Sequence, residues 1–174
     1  MTTSSGAGLR KPPHVFDRDR EWDGLIRFAT SPDPDARLGI VSGRRRQGKT
    51  YLLDAVASAV DGFFYTATED TETDALANFG RALAEWIGGG RYAFAGWEEA
   101  LDLLFTAVTG KLIVIDEFPY LSKASPSLPS PSRCGYGRVL PGGWSGDHDR
   151  GPSVVCRHGG VTGRSPHVFT GQWG

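Results

Sequence analysis

Arg37-Leu38-Gly39-Ile40-Val41-Ser42-Gly43-Arg44-Arg45-Arg46-Gln47-Gly48-Lys49-Thr50 is the stretch on which the fold turns. A short apolar run, residues 37–42, has the length of a strand and leads into a segment matching G-x-x-x-x-G-K-[ST]. Leu52, Leu53, Val56 and Val60 then recur at helical core spacing. Strand, glycine-bounded loop and helix in that order make a cradle for phosphate. Gly43 and Gly48 permit the turn and clear the way for backbone N–H groups to approach anion oxygens. The helix that follows turns the positive end of its dipole toward the same anion. Lys49 suits the β- and γ-phosphates of a nucleotide, and the Thr50 hydroxyl suits Mg²⁺. The candidate nucleotide-binding residues are therefore Gly43, Arg44, Arg45, Arg46, Gln47, Gly48, Lys49 and Thr50.

A second motif supports the first. Lys111-Leu112-Ile113-Val114-Ile115-Asp116-Glu117 is an apolar run ending in two carboxylates, about 65 residues beyond the loop. An unbroken Leu/Ile/Val run fits a strand buried on both faces of a parallel sheet. A carboxylate at the end of such a strand can hold Mg²⁺ near the loop threonine, which makes Asp116 and Thr50 the candidate metal ligands. Glu117 can polarise a water for attack on the γ-phosphate, and with Lys49 it forms the candidate catalytic pair.

Outward from these motifs, strand-like and helix-like patterns alternate, and the expectation is α/β architecture. Trp22, Leu25, Ile26 and Ala29 share one helical face, and SPDPD (31–35) breaks the chain after them. Residues 62–67 read as a second strand. Thr71-x-x-Asp74 starts a helix continued by Leu76, Phe79, Leu83 and Ile87 and ended by glycines 88–90. Trp97, Leu101, Leu104, Phe105 and Val108 mark another helix.

GRRRQGKT together with LIVIDEFPYL resembles the AAA-type P-loop ATPase domain of archaeal and bacterial ATPases. Upstream, Phe16-x-Arg18-x-x-Glu21-x-x-x-Leu25 is similar to that family's F-x-R-x-x-E-x-x-x-L motif. The resemblance spans residues 14–124. It implies a Walker A loop at Gly43–Thr50 and a Walker B strand over residues 112–117. It also implies Asp116 as the metal residue, Glu117 as the hydrolytic glutamate, and Phe16 and Arg18 near the adenine. ATP and Mg²⁺ are the cofactors it implies, and relatives of this type often complete their sites across subunits of a homo-oligomer. The family continues past its Walker B strand into helices and then a strand with a polar sensor residue, inserted between the Walker A and Walker B strands. An arginine finger and a helical lid come later. After Phe118-Pro119-Tyr120-Leu121 this chain leaves that pattern.

The 174 residues divide by composition. Residues 1–124 hold all 16 alanines and every glutamate, isoleucine and lysine; residues 125–174 hold none of these, yet 24 of those 50 are Gly, Pro or Ser. Three units are expected: a flexible N-terminus over 1–13, a partial P-loop ATPase domain over 14–124, and a Gly/Pro/Ser-rich tail over 125–174. The fold expected is a P-loop NTPase parallel sheet with flanking helices, incomplete at its centre, with an irregular or disordered tail. Only Val154-Val155-Cys156 and His167-Val168-Phe169 have any strand character there, and without a central strand the two motif strands must close up, recruit Val154–Cys156 or remain poorly ordered. A shifted reading frame or truncated gene accounts for the abrupt loss of four residue types. Reading the other frames downstream of the Leu121 codon tests it.

Other classes receive less support. No apolar run reaches the ~18 residues of a membrane span, and MTTSSGAGLRKPPH lacks the apolar stretch of a secretory signal, so a cytoplasmic chain is the expectation. A net charge of −1 gives no electrostatic argument for nucleic acid; Arg44–Arg46 invite that reading without supporting it, since inside a phosphate loop such residues more often face solvent or nucleotide. Cys134, His148, Cys156, His158 and His167 match no zinc spacing. Two functional alternatives stand beside an ATPase: a P-loop kinase, and a non-enzymatic nucleotide-binding module or inactive gene remnant. The adjacent Asp116-Glu117 pair favours water activation, whereas a kinase must keep water from the γ-phosphate.

Overall fold

The computed structural model describes residues 9–31 and 48–125, and the backbone of residues 37–42, 153–157 and 167–172. In these residues five helices and five strands run in the order α1 (Asp19–Ala29), β1 (Arg37–Ser42), α2 (Lys49–Ala59), β2 (Phe63–Thr66), α3 (Glu72–Ile87), α4 (Trp97–Ala107), β3 (Leu112–Asp116), α5 (Phe118–Ala124), β4 (Ser153–Arg157) and β5 (His167–Gln172). The α/β expectation holds.

The strands form one sheet in the order β2-β3-β4-β1-β5. β2 runs parallel to β3, and β5 runs parallel to β1. β4 lies between β1 and β3 and is antiparallel to both. One expectation is corrected here: the sheet is mixed rather than parallel. Its centre is filled by one of the routes left open above, the recruitment of Val154–Cys156. Of the Gly/Pro/Ser-rich tail, residues 153–157 and 167–172 supply two strands, β4 and β5. The physical reason is the one that made the gap untenable: two strands facing each other across an empty row would leave a double set of backbone N–H and C=O groups unpaired. β4 satisfies both rows at once, with Leu38 and Ile113 each opposite Cys156, and Gly39 and Val114 each opposite Val155.

Side-chain alternation along β3 explains why its sequence is apolar throughout. Ile113 and Ile115 enter one core with Phe63, Phe79, Leu83, Trp97 and Leu104; Leu112 and Val114 enter the other with Trp22, Leu25, Leu53 and Val56. The first core carries α3, α4 and α5, the second α1 and α2. All five β3 residues are buried.

The helices follow local chemistry. Thr71 caps α3, its hydroxyl accepting from the Asp74 N–H at 3.2 Å, and Glu72 and Asp74 place negative charge in the first turn. The expected face of α3 is buried at Phe79 and Leu83, while Ile87 at its end is exposed. In α1, Phe28 joins Trp22, Leu25 and Ala29 in the core, and Ile26 is half-buried beside them. The chain ahead of α1 is tied to it: the Trp22 indole donates to the Leu9 carbonyl at 3.1 Å, and Lys11 pairs with Asp19 at 2.9 Å. Among the described residues, no helix is long and apolar enough to cross a membrane.

Candidate nucleotide site

The carboxyl ends of β1 and β3 meet one edge of the sheet, the edge at which ligands bind in open α/β sheets. From there the chain passes to α2, whose N-cap is Gly48 in the left-handed region at φ 74°. Its carbonyl accepts from the Leu52 N–H at 3.0 Å and so starts the helix. A side chain in that backbone conformation is strained, while glycine adopts it freely.

Lys49 and Thr50 form the first turn of α2, and here the two sequence motifs meet. Thr50 Oγ1 donates to Asp116 Oδ2 at 2.5 Å, and Lys49 Nζ lies 3.9 Å from Asp116 Oδ1. The second distance is an electrostatic approach rather than a hydrogen bond. Asp116 is 0% exposed. A carboxylate taken out of water must be compensated by donors and positive charge, and this one has a hydroxyl, an ammonium nearby and the backbone N–H of Glu117 at 3.0 Å on Oδ1. Its position is fixed from the backbone side as well, where Ala67 N–H donates to the Asp116 carbonyl at 3.0 Å and Thr66 pairs with it across the β2–β3 ladder.

Glu117 follows at the N-cap of α5 with φ 53°, a left-handed conformation that costs a non-glycine residue about 1–2 kcal/mol. The half-buried side chain makes no hydrogen bond or ion pair among the described residues. Strain of this kind turns the chain sharply from β3 into α5 while the two carboxylates stay adjacent. Pro119 in the first turn of α5 suits a position whose N–H has no helical acceptor.

The upstream motif lies beside the same helix. The His14 and Tyr51 rings meet edge to face with centroids 5.4 Å apart, joining the segment before α1 to the residue after Thr50. Phe16 is 87% exposed. Arg18 pairs with Glu21 at 3.1 Å, one turn along. His14 and Tyr51 were not among the residues singled out from the sequence; the proximity of Tyr51 to the loop and of His14 to Phe16 were the available signals. Gly43, Arg44, Arg45, Arg46 and Gln47 lie outside the described residues, as do Cys134, His148 and His158 of the tail.

Thr50 and Asp116 meet the demand of a Mg²⁺ site that takes one carboxylate and one hydroxyl from the protein and its other ligands from phosphate and water. Among the described residues no cluster of three or more His, Cys, Asp or Glu side chains is arranged for an all-protein metal site, which the Mg²⁺ of a nucleotide does not require. No protein-family model, curated protein or solved structure matches this chain.

Proposed function

We propose that the chain binds Mg-ATP at Lys49, Thr50 and Asp116 and hydrolyses it with Glu117 as base, in the manner of the AAA-type P-loop ATPases it resembles. One observation carries the reading: a threonine in the first turn of a glycine-capped helix donates to a fully buried aspartate at the end of a core strand, 66 residues away in sequence. A hydroxyl and a carboxylate in contact, with an ammonium beside them, form a set that neutralises phosphate and divides the ligation of a divalent cation. Mg²⁺, held by Thr50 and Asp116, would withdraw charge from the β- and γ-phosphate oxygens. Lys49 binds the same phosphates. Glu117, adjacent to the metal residue, accepts the proton of a water as its oxygen bonds to the γ-phosphorus and the bond to the β-γ bridging oxygen breaks. Phe16, two residues after His14 in sequence, offers an exposed aromatic face for the base.

Calorimetric titration with Mg-ATP and a phosphate-release assay test the reading together. Wild-type binding that is lost in Lys49→Ala, with release that vanishes in Glu117→Gln while binding survives, is the expected result. Wild-type protein that binds neither Mg-ATP nor Mg-ADP refutes it.

A further inference from the structure

On the α3–α4 side of the molecule, a cleft of about 390 Å³ opens between the outer face of α3 and the segment leading into α4. It shares no residue with the phosphate site. Leu76 and Arg81 line it from α3, and Arg91, Tyr92 and Phe94 from the connecting segment. Trp97, 1% exposed, is the buried member of the lining.

Its shape is built into the sequence. The segment lies directly on α3 because residue 80 is glycine: a Cβ there would meet the Tyr92 carbonyl oxygen at 2.7 Å and the Phe94 ring at 3.3 Å. The Tyr92 and Phe94 rings stack at 13° with centroids 6.1 Å apart, and both line the cleft. Both arginines are exposed, and Glu72 contributes the one carboxylate of the lining, which leaves one positive charge in excess. Trp97 packs edge to face on Phe79, yet its indole N–H is buried without a hydrogen-bond acceptor among the described residues. Buried donors in folded proteins are almost always paired. Planar guanidinium groups favour carboxylates in particular, because the fork of N–H donors matches the two oxygens.

We infer that this cleft is a binding site for a small aromatic carboxylate, its ring against Tyr92 and Phe94 and its charge on Arg81 and Arg91. The volume falls in the range of small-molecule sites, and the lining combines apolar side chains with charged ones.

The probe is naphthalene-2-carboxylate, titrated into the ¹⁵N-labelled full chain, with the assigned Trp97 indole N–H resonance as the readout among the five indoles. A saturable shift of that resonance is expected, with about tenfold weaker binding in Arg81→Gln and in Arg91→Gln. The neutral 2-naphthylmethanol should bind about tenfold more weakly than the acid. Both arginines are exposed, so their replacement leaves the fold intact. An indole resonance that does not move up to about 10 mM probe overturns the site. Equal affinity for the acid and the alcohol, or arginine variants that bind as well as wild type, overturns its anion selectivity.

Discussion

Replacing Thr50 with valine removes the hydroxyl that joins the two halves of the site while conserving the shape of the side chain. Two effects follow from the geometry. Without nucleotide, Asp116 Oδ2, on a carboxylate that is 0% exposed, loses its donor at 2.5 Å, while the Glu117 N–H and the Lys49 approach on Oδ1 remain. Hydrogen bonds to charged groups contribute about 1.5–3 kcal/mol, and because Thr50 itself is exposed the low end, about 1.5 kcal/mol, is the expected loss. Helix propensity adds little, since Thr and Val differ only slightly. With an m-value of about 2 kcal/mol/M, the urea midpoint should fall by about 0.7 M. If the chain binds Mg-ATP as proposed, the variant lacks the hydroxyl assigned to Mg²⁺, so the increase in ATP affinity on adding Mg²⁺ should disappear while Thr50→Ser retains it. Urea denaturation followed by fluorescence, and titration with ATP in the presence and absence of Mg²⁺, read the two effects separately. A Thr50→Val protein as stable as wild type and with the same Mg²⁺ response would show that the contact has neither role.

Three further outcomes are expected. Phe79→Ala removes a fully buried ring that meets Phe63, Tyr65 and Trp97 edge to face at 5.7, 5.3 and 5.3 Å, and should lower stability by about 3–5 kcal/mol in chemical denaturation. Gly48→Ala meets no neighbour within 4 Å among the described residues but must adopt φ 74°, so it should cost about 1–2 kcal/mol through the backbone, and a stability equal to wild type would contradict the left-handed cap. The Tyr65 phenol is pushed up to about 12, first by burial and then by the negative charge of Asp70. The neutral phenol is the form the fold favours, so its contribution is complete below the ordinary tyrosine value near 10 and is lost as pH rises through about 12. Ultraviolet titration should find a tyrosine step near pH 12, and Tyr65→Phe should remove it.

Much of the site was legible because its parts are local. The start of α2 and the Leu/Ile/Val strand are each read from adjacent residues, and the meeting of Lys49 and Thr50 with Asp116 follows from placing a strand end beside a helix start. The tail was legible only in part. Recruitment of Val154-Val155-Cys156 was visible as one way to fill the gap, but an apolar triplet has the same pattern in both directions, so its antiparallel course could not be read from hydrophobicity. The seven residues of α5 are too few to show a helical period, and Pro119 at its start hides it further. The α3–α4 cleft depends on Gly80 receiving the Tyr92 carbonyl, a contact between a helix face and a loop that no periodicity encodes.

The placement of β4 has a consequence for the order in which the molecule can be assembled. Arg37 pairs with Arg157, 120 residues further along the chain. On a ribosome making the protein from its N-terminus, the strands at the two motifs are synthesised long before the strand that joins them. Until residues 153–157 emerge, β1 and β3 each present a bare apolar edge, the kind of surface that pairs with other chains. Closing so distant a pairing is slow by comparison with forming α1 through α4, whose contacts are local. The nascent chain would therefore hold two finished helical layers and an open seam, and chaperone demand should peak in that interval rather than at the start of synthesis.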